Sequence, residues 1–285
     1  MTPLRLQTIL IIAFMQYVTR YAALFPVLKK YGIELQLSGG MFACLVFSTV
    51  CIAAAGFINE RKSVKEHILL SVAGTAMGAY IILKTGTSNL ILTYVALALM
   101  LLLYLFVYKH YFLVGNIIVA LFFAIVPMFV LLDILPIYRV YGRFIFEAGV
   151  NFDFIIYWFS GVSTFIFLTV LSCEIIKDTE DFENDNVTCD SRTFPFIMGA
   201  PYTKWTIIVI NTLNIVFLCL LYGFFLRNIA AWFSIFYILL FLIIPILFIN
   251  LKVHKAITGA DYRFIGNIMK MILLAGVAYS VVLWW

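Results

Sequence analysis

The sequence predicts an all-α membrane protein that crosses the bilayer about nine times. Three observations carry this: 65% of the 285 residues are apolar, only 12% are charged, and long apolar runs recur from one end of the chain to the other. An ordinary soluble domain is about half apolar and about a quarter charged, so no soluble fold hides this much apolar surface. The runs leave no room for a soluble domain, and residues 1–285 read as a single membrane domain.

A hydrocarbon core of ~30 Å takes roughly 20 residues of helix. Runs near that length fall at about 6–27, 41–58, 68–84, 89–107, 112–133, 152–173, 205–226, 231–250 and 268–284. The first begins beside Arg5 but exceeds a signal-peptide core and lacks a small-residue cleavage site, so it reads as a retained helix. The second and third contain Ala53-Ala54-Ala55-Gly56 and Gly74-Thr75-Ala76-Met77-Gly78, small residues that let helices approach closely. Most links are short, which implies antiparallel neighbours. The 28 Phe and 16 Tyr read mainly as lipid contacts and interfacial anchors.

The net charge of +5 comes from 19 basic residues scattered among inter-helix loops, with no continuous stripe, which argues against nucleic acid as a partner. Cytoplasmic loops carry the Lys/Arg excess. With the N-terminus inside, twelve basic residues fall on the cytoplasmic side and seven on the other, and loops 59–67, 108–111, 174–204 and 251–267 share the cytoplasmic face. Five cysteines show no paired spacing and read as free thiols.

Seven of the fourteen carboxylates lie within residues 174–190. If the sixth run continues as a helix, Glu174, Asp178, Asp181 and Asp185 recur at i, i+4, i+7 and i+11 and share an arc of about 60°, because each residue turns about 100°. Glu180 and Glu183 point elsewhere. Carboxylates stacked on one face repel one another unless a cation or basic group lies between them. Oxygen ligands with no His or Cys nearby suit Mg²⁺, which commonly binds carboxylates together with substrate phosphates. The alternative is a solvated acidic loop. Emergence of the segment directly from an apolar span weighs against it, because polar groups near a membrane interior are costly.

Glu174-Ile-Ile-Lys-Asp178-x-x-Asp181-x-x-x-Asp185, followed by Arg192-Thr193-x-Pro195, resembles the second aspartate-rich motif of the UbiA superfamily of membrane prenyltransferases. Nine spans with this motif after the sixth fit that family's topology, and smaller echoes occur at Gln16-Tyr17, Ala53 to Gly56, Tyr104 followed by Lys109, and Gly115-Asn116. Within the superfamily the chain looks like bacterial proteins of the geranylgeranylglycerol-phosphate geranylgeranyltransferase-like group. The resemblance implies helices around a central cavity and a multi-pass protein of the bacterial inner membrane. It implies transfer of an isoprenyl chain from a prenyl diphosphate donor to a lipid or aromatic acceptor, with Mg²⁺ as cofactor. By motif position it makes Asp178, Asp181 and Asp185 the catalytic, metal-binding carboxylates, with substrate contacts from Glu174, Lys177, Arg192, Lys109, Tyr104 and Asn59.

The sequence departs from the family at several places. The first aspartate-rich motif, N-D-x-x-D-x-x-x-D, is expected after the second span, yet a gapless reading from Asn59 puts Glu60, Ser63 and His67 at the acidic positions. A lost block explains this stretch better than point changes. The family's Arg before Glu174 is Cys173, and an Asn near the start of the first span is Thr8. Two readings stay open, a prenyltransferase with a reduced metal site and a catalytically impaired relative. A small transporter is a third, disfavoured because charges at mid-depth and matching broken helices are not evident in the sequence.

Overall fold

Inside hydrocarbon no water is available to backbone N–H and C=O groups, so apolar runs of this length must satisfy them within the segment, as helices do. The computed structural model describes residues 3–57, 64–106, 111–147, 153–184, 193–227 and 231–282, and among these there is no strand. Eight helical stretches are long and apolar enough to cross a membrane, and a shorter apolar helix spans Ser88–Tyr104. This is an integral multi-pass membrane protein; among the described residues eight of the nine expected spans reach full length, and the run expected at 89–107 is the shorter helix.

The helices are α1 (Pro3–Tyr17), α2 (Phe25–Lys30), α3 (Gly39–Phe57), α4 (Val64–Lys84), α5 (Ile91–Phe106), α6 (Val114–Ile125), α7 (Leu131–Glu147), α8 (Asp153–Glu183), α9 (Phe194–Leu221), α10 (Ala231–Tyr237), α11 (Ile244–Lys255) and α12 (Gly259–Val282). Several spans are joined pieces, and proline explains the joints. A π-helical segment, Val18–Leu24, leads into Pro26 of α2, and another, Ile238–Ile243, leads into Pro245 of α11. Proline has no N–H to donate, and a widened turn just before it absorbs the missing bond without ending the span.

Several expected boundaries move: the run expected from 205 begins at Phe194 and the one expected from 268 at Gly259, so parts of the expected loops 174–204 and 251–267 are helical. The fifth run does not stop at 133: Val126–Val130, containing Pro127, tightens to a 3-10 turn and the chain continues as α7 to Glu147. Arg139 and Arg143 lowered the apparent hydropathy there, but they are four residues apart and both exposed, while Leu132, Ile137 and Ile145 are buried. The sixth run likewise continues past 173 to Glu183 as one helix.

The chain forms two compact units. Residues 1–106 and 125–160 make most of the first, and residues 107–124 and 161–283 most of the second. In the first unit, the expected small-residue face of α4 is realised. A Cβ on Gly74 would meet the Ser48 carbonyl oxygen at 2.9 Å, and one on Gly78 would collide with the Tyr94 ring. Ser48 Oγ donates to the Gly74 carbonyl at 2.6 Å and is also hydrogen-bonded to the Tyr94 hydroxyl, which ties α3, α4 and α5 together. In the second unit, side-chain amides join helices. Ser172 donates to Asn211 at 2.8 Å, Asn211 to Asn250 at 2.9 Å, and Asn214 to Thr169 at 2.9 Å, linking α8, α9 and α11.

Contrary to the sequence reading, charges do occur within apolar spans. Arg20 and Asp133 of the first unit are each 2% exposed at the side chain and form an ion pair at 2.6 Å. Arg20 Nη2 also reaches Asp133 and the Leu37 carbonyl, and the Leu37 N–H donates to Asp133 at 2.9 Å. The Arg20 guanidinium lies 4.4 Å from the Phe42 ring centre. The pair is closed on itself and on the Leu37 backbone, so it anchors the link between α2 and α3. Removing one partner strands a buried charge, at a cost of about 3–5 kcal/mol, whereas removing both is far milder. Arg20→Leu is therefore expected to lower the melting temperature of the detergent-solubilised protein sharply, and Arg20→Leu with Asp133→Leu to recover much of the loss. Additive losses in the double variant would show that the pair is not coupled.

Candidate functional site

The length of α8 places the acidic segment. At 1.5 Å per residue its 31 residues extend about 46 Å. A hydrocarbon core of ~30 Å leaves about ten residues outside it, the number from Glu174 to Glu183. The helix does not fray there, because Ile175, Ile176 and Thr179 stay buried on its inner side. The Thr179 hydroxyl also bonds back to the Ile175 carbonyl at 2.7 Å. Glu174, Asp178 and Asp181 thus share one face of a continuous helix, as their spacing predicts.

That face meets the start of α6. Asn116 is buried, and its amide Nδ2 donates to Asp178 Oδ2 at 2.8 Å, fixing the half-buried carboxylate. Glu174 lies 3.7 Å from Lys177, whose side chain is half exposed, an i,i+3 contact of small energetic weight. Asp181, one turn further on, is exposed. On another face Arg263 of α12 donates to Glu180 at 2.7 Å. Gly259 lies so close to Asn184 that a Cβ there would collide with its side-chain amide. The first turns of α12 therefore hold the end of α8. Near the start of α6, Phe112 stacks on Phe194 of α9 with ring centres 4.9 Å apart.

The structure brings Glu174, Lys177, Asp178 and Asp181 together on α8. Tyr104 is buried on α5 in the first unit. Asn59, Lys109, Asp185 and Arg192 lie outside the described residues, as do Glu60 and Ser63. Of the gapless first-motif positions only His67 is described. It is buried, with Nδ1 2.8 Å from the Ala55 carbonyl oxygen of α3, a packing role. Cys173, at the position of the family's Arg, is a free, half-buried thiol. Asn116 is the addition. Its sequence signal was only the Gly115-Asn116 echo, and nothing in the sequence tied it to Asp178.

Every donor on this face is oxygen or amide, a set that fits a hard cation such as Mg²⁺. Among the described residues no group of three His, Cys, Asp or Glu is disposed to hold a metal. The third carboxylate of the motif, Asp185, is outside them.

No family's sequence profile matches the chain. Its fold is shared by a solved structure described as digeranylgeranylglyceryl phosphate synthase in membranes, with a TM-score of 0.62, 18% identity, and 98% of this chain and 99% of that one covered. The apo structure of a UbiA homolog from Aeropyrum pernix K1 gives the same TM-score of 0.62 at 10% identity, covering 95% and 96%. The chain is therefore an all-helical membrane protein with the UbiA fold. In sequence it is 27% identical over 195 residues to the digeranylgeranylglyceryl phosphate synthase of Methanosphaera stadtmanae, an alignment covering 68% of this chain and 60% of that relative.

The Asn116–Asp178 bond has a measurable consequence. A hydrogen bond to a carboxylate contributes about 1–3 kcal/mol, so a double-mutant cycle of Asn116→Leu and Asp178→Leu, followed by thermal unfolding in detergent, should give a coupling of that size. A coupling of zero would mean that α6 does not hold Asp178.

Proposed function

We propose that the chain is a membrane prenyltransferase that moves an isoprenyl chain from a prenyl diphosphate to a lipid or aromatic acceptor, with the carboxylate face of α8 at the diphosphate end of its site. The observation that carries this reading is Asp178, a carboxylate at the exit of an apolar helix, oriented by Asn116 and flanked on its face by Glu174 and Asp181. The Methanosphaera relative is named for a glyceryl phosphate product, which favours a lipid acceptor over an aromatic one. The Lys/Arg bias supports a cytoplasmic N-terminus, with this site opening to the cytoplasm.

Asp178, Asp181 and Asp185 would hold Mg²⁺, which when bound neutralises the charge of the departing diphosphate. The chain's own residues set the geometry. Asn116 keeps Asp178 in one orientation, and Arg263 engages Glu180 on another face. Lys177, with Lys109 and Arg192 by motif position, would contact the diphosphate oxygens. In the transfer, the bond between the allylic carbon and the diphosphate oxygen breaks with its electron pair leaving on oxygen. The acceptor's nucleophilic atom then bonds to that carbon and gives up its proton.

Purified protein in detergent, incubated with labelled geranylgeranyl diphosphate and Mg²⁺, tests this directly. Asp181→Asn removes a negative charge with little change of shape. It should weaken metal-dependent donor binding at least about tenfold, since even outer-shell losses cost a metal site that much. Glu183→Gln, on the other face, should change binding far less. Equal effects would assign the carboxylates to a solvated helix end.

A second reading, a catalytically impaired relative, is favoured by His67, which packs against Ala55 where a gapless first motif would put an acid. Two carboxylate clusters compensate the leaving charge better than one. Loss of a single well-placed electrostatic contact typically costs ~100-fold to ~1,000-fold in rate. The chain is expected to bind a prenyl diphosphate and to transfer its isoprenyl group, releasing diphosphate, far more slowly than a relative with both motifs. Grafting N-D-x-x-D-x-x-x-D between Ile58 and Glu66 should raise turnover. Rapid Mg²⁺-dependent transfer by the unaltered chain would overturn the impaired reading.

A further inference from the structure

Beside the acidic segment, at the same end of the second unit, α11 and α12 enclose a crevice of about 470 Å³ that no residue of α8 lines. Its wall is apolar, made by Phe248 and Leu251 of α11 and Phe264 and Ile265 of α12. Its rim is basic: Lys252 and Lys255, in the last turn of α11, both line it.

The crevice also contains one carboxylate, Asp261, which keeps its negative charge, faces the Lys252 ammonium and is held in place by the first turn of α12. Asp261 Oδ2 accepts from the N–H of Ile257 at 3.1 Å, the N–H of Thr258 at 2.9 Å and the Thr258 hydroxyl at 2.9 Å, closing the first turn of α12. The link is closed from the other side by Lys204, whose ammonium donates to the Ala256 carbonyl at 2.6 Å. Lys252 places its ammonium over the Phe248 ring, Nζ 5.5 Å from the ring centre, and both rim lysines are exposed.

A basic rim above an apolar wall, at the end of a membrane-spanning helix, matches a molecule with a negative head and an apolar tail. A free phosphate leaves the wall unused, and a neutral lipid leaves the lysines unused. Leu247 and Leu251 are exposed on the same helix, so the apolar wall runs on into surface that a bilayer would cover. We propose that the α11–α12 crevice binds an anionic phospholipid, its phosphate between Lys252 and Lys255 and an acyl chain along Phe248, Leu251 and Phe264. Because α12 also carries Arg263 and Gly259, which hold Glu180 and Asn184 of the acidic segment, the bound lipid braces the end of α8.

The test is lipid retention by the full chain, delipidated in detergent, titrated with dioleoyl phosphatidylglycerol or dioleoyl phosphatidylcholine, and read by native mass spectrometry. The site should retain one phosphatidylglycerol in preference to phosphatidylcholine. Each basic residue near a membrane surface contributes about a factor of five toward anionic lipid, so Lys252→Gln with Lys255→Gln should lower affinity roughly 30-fold. Both side chains are exposed, and an unchanged melting temperature would certify the variant's fold. Lys29→Gln with Lys30→Gln, a charge-matched pair in the last turn of α2, should leave retention unchanged. Equal retention of both lipids, an unaffected crevice variant, or an equal loss in the α2 variant would overturn the proposal. Displacement of phosphatidylglycerol by excess inorganic phosphate would also overturn it, assigning the crevice to a free phosphate.

Discussion

Every segment of this chain answers to one constraint, the satisfaction of backbone hydrogen bonds where no water can reach. It makes the apolar runs helical, and it governs how proline is tolerated. Pro26, Pro127 and Pro245 do not end their spans, because each sits beside a π or 3-10 turn that redistributes the ladder. The same constraint applies to side chains. Arg20 and Asp133 enter the interior as a closed pair that also satisfies the Leu37 backbone, and the α9 asparagines bridge helices, Asn211 to Asn250 and Asn214 to Thr169, although Asn214 Oδ1 is left without a partner.

The candidate site uses the opposite device. Rather than closing its carboxylates into an interior ion pair, the chain extends α8 past the length that hydrocarbon requires, with Glu174, Asp178 and Glu180 still partly buried. Glu174 to Glu183 therefore keep helical spacing while leaving the apolar layer. Helical register sets their faces, and neighbours then engage them: Asn116 of α6 donates to Asp178, and Arg263 of α12 to Glu180.

The second unit places a basic-rimmed apolar crevice close to this acidic face, with α12 shared between them. Both features lie at the same end of the second unit. The α11–α12 link is short and doubly fastened, by Asp261 on one side and Lys204 on the other. It is suited to transmit the position of one helix to the other.

The sequence by itself determined the fold class, the approximate spans and the register of the acidic face, because hydropathy and a 3.6-residue period are local properties that one bilayer thickness makes decisive. It also carried the superfamily resemblance, through the spacing from Glu174 to Asp185 and the Arg192-Thr193-x-Pro195 tail. The helical ends were less legible. Arg139 and Arg143 hid the continuation of α7, because an averaged hydropathy cannot see that two charges share the exposed side. Only the tertiary structure decided the partners: Asn116 with Asp178, Arg263 with Glu180, Arg20 with Asp133 across 113 residues of chain, and His67 with the Ala55 carbonyl. Those pairings depend on which helices pack together, and the free energy of packing lies in contacts between residues far apart in sequence, which no local pattern records.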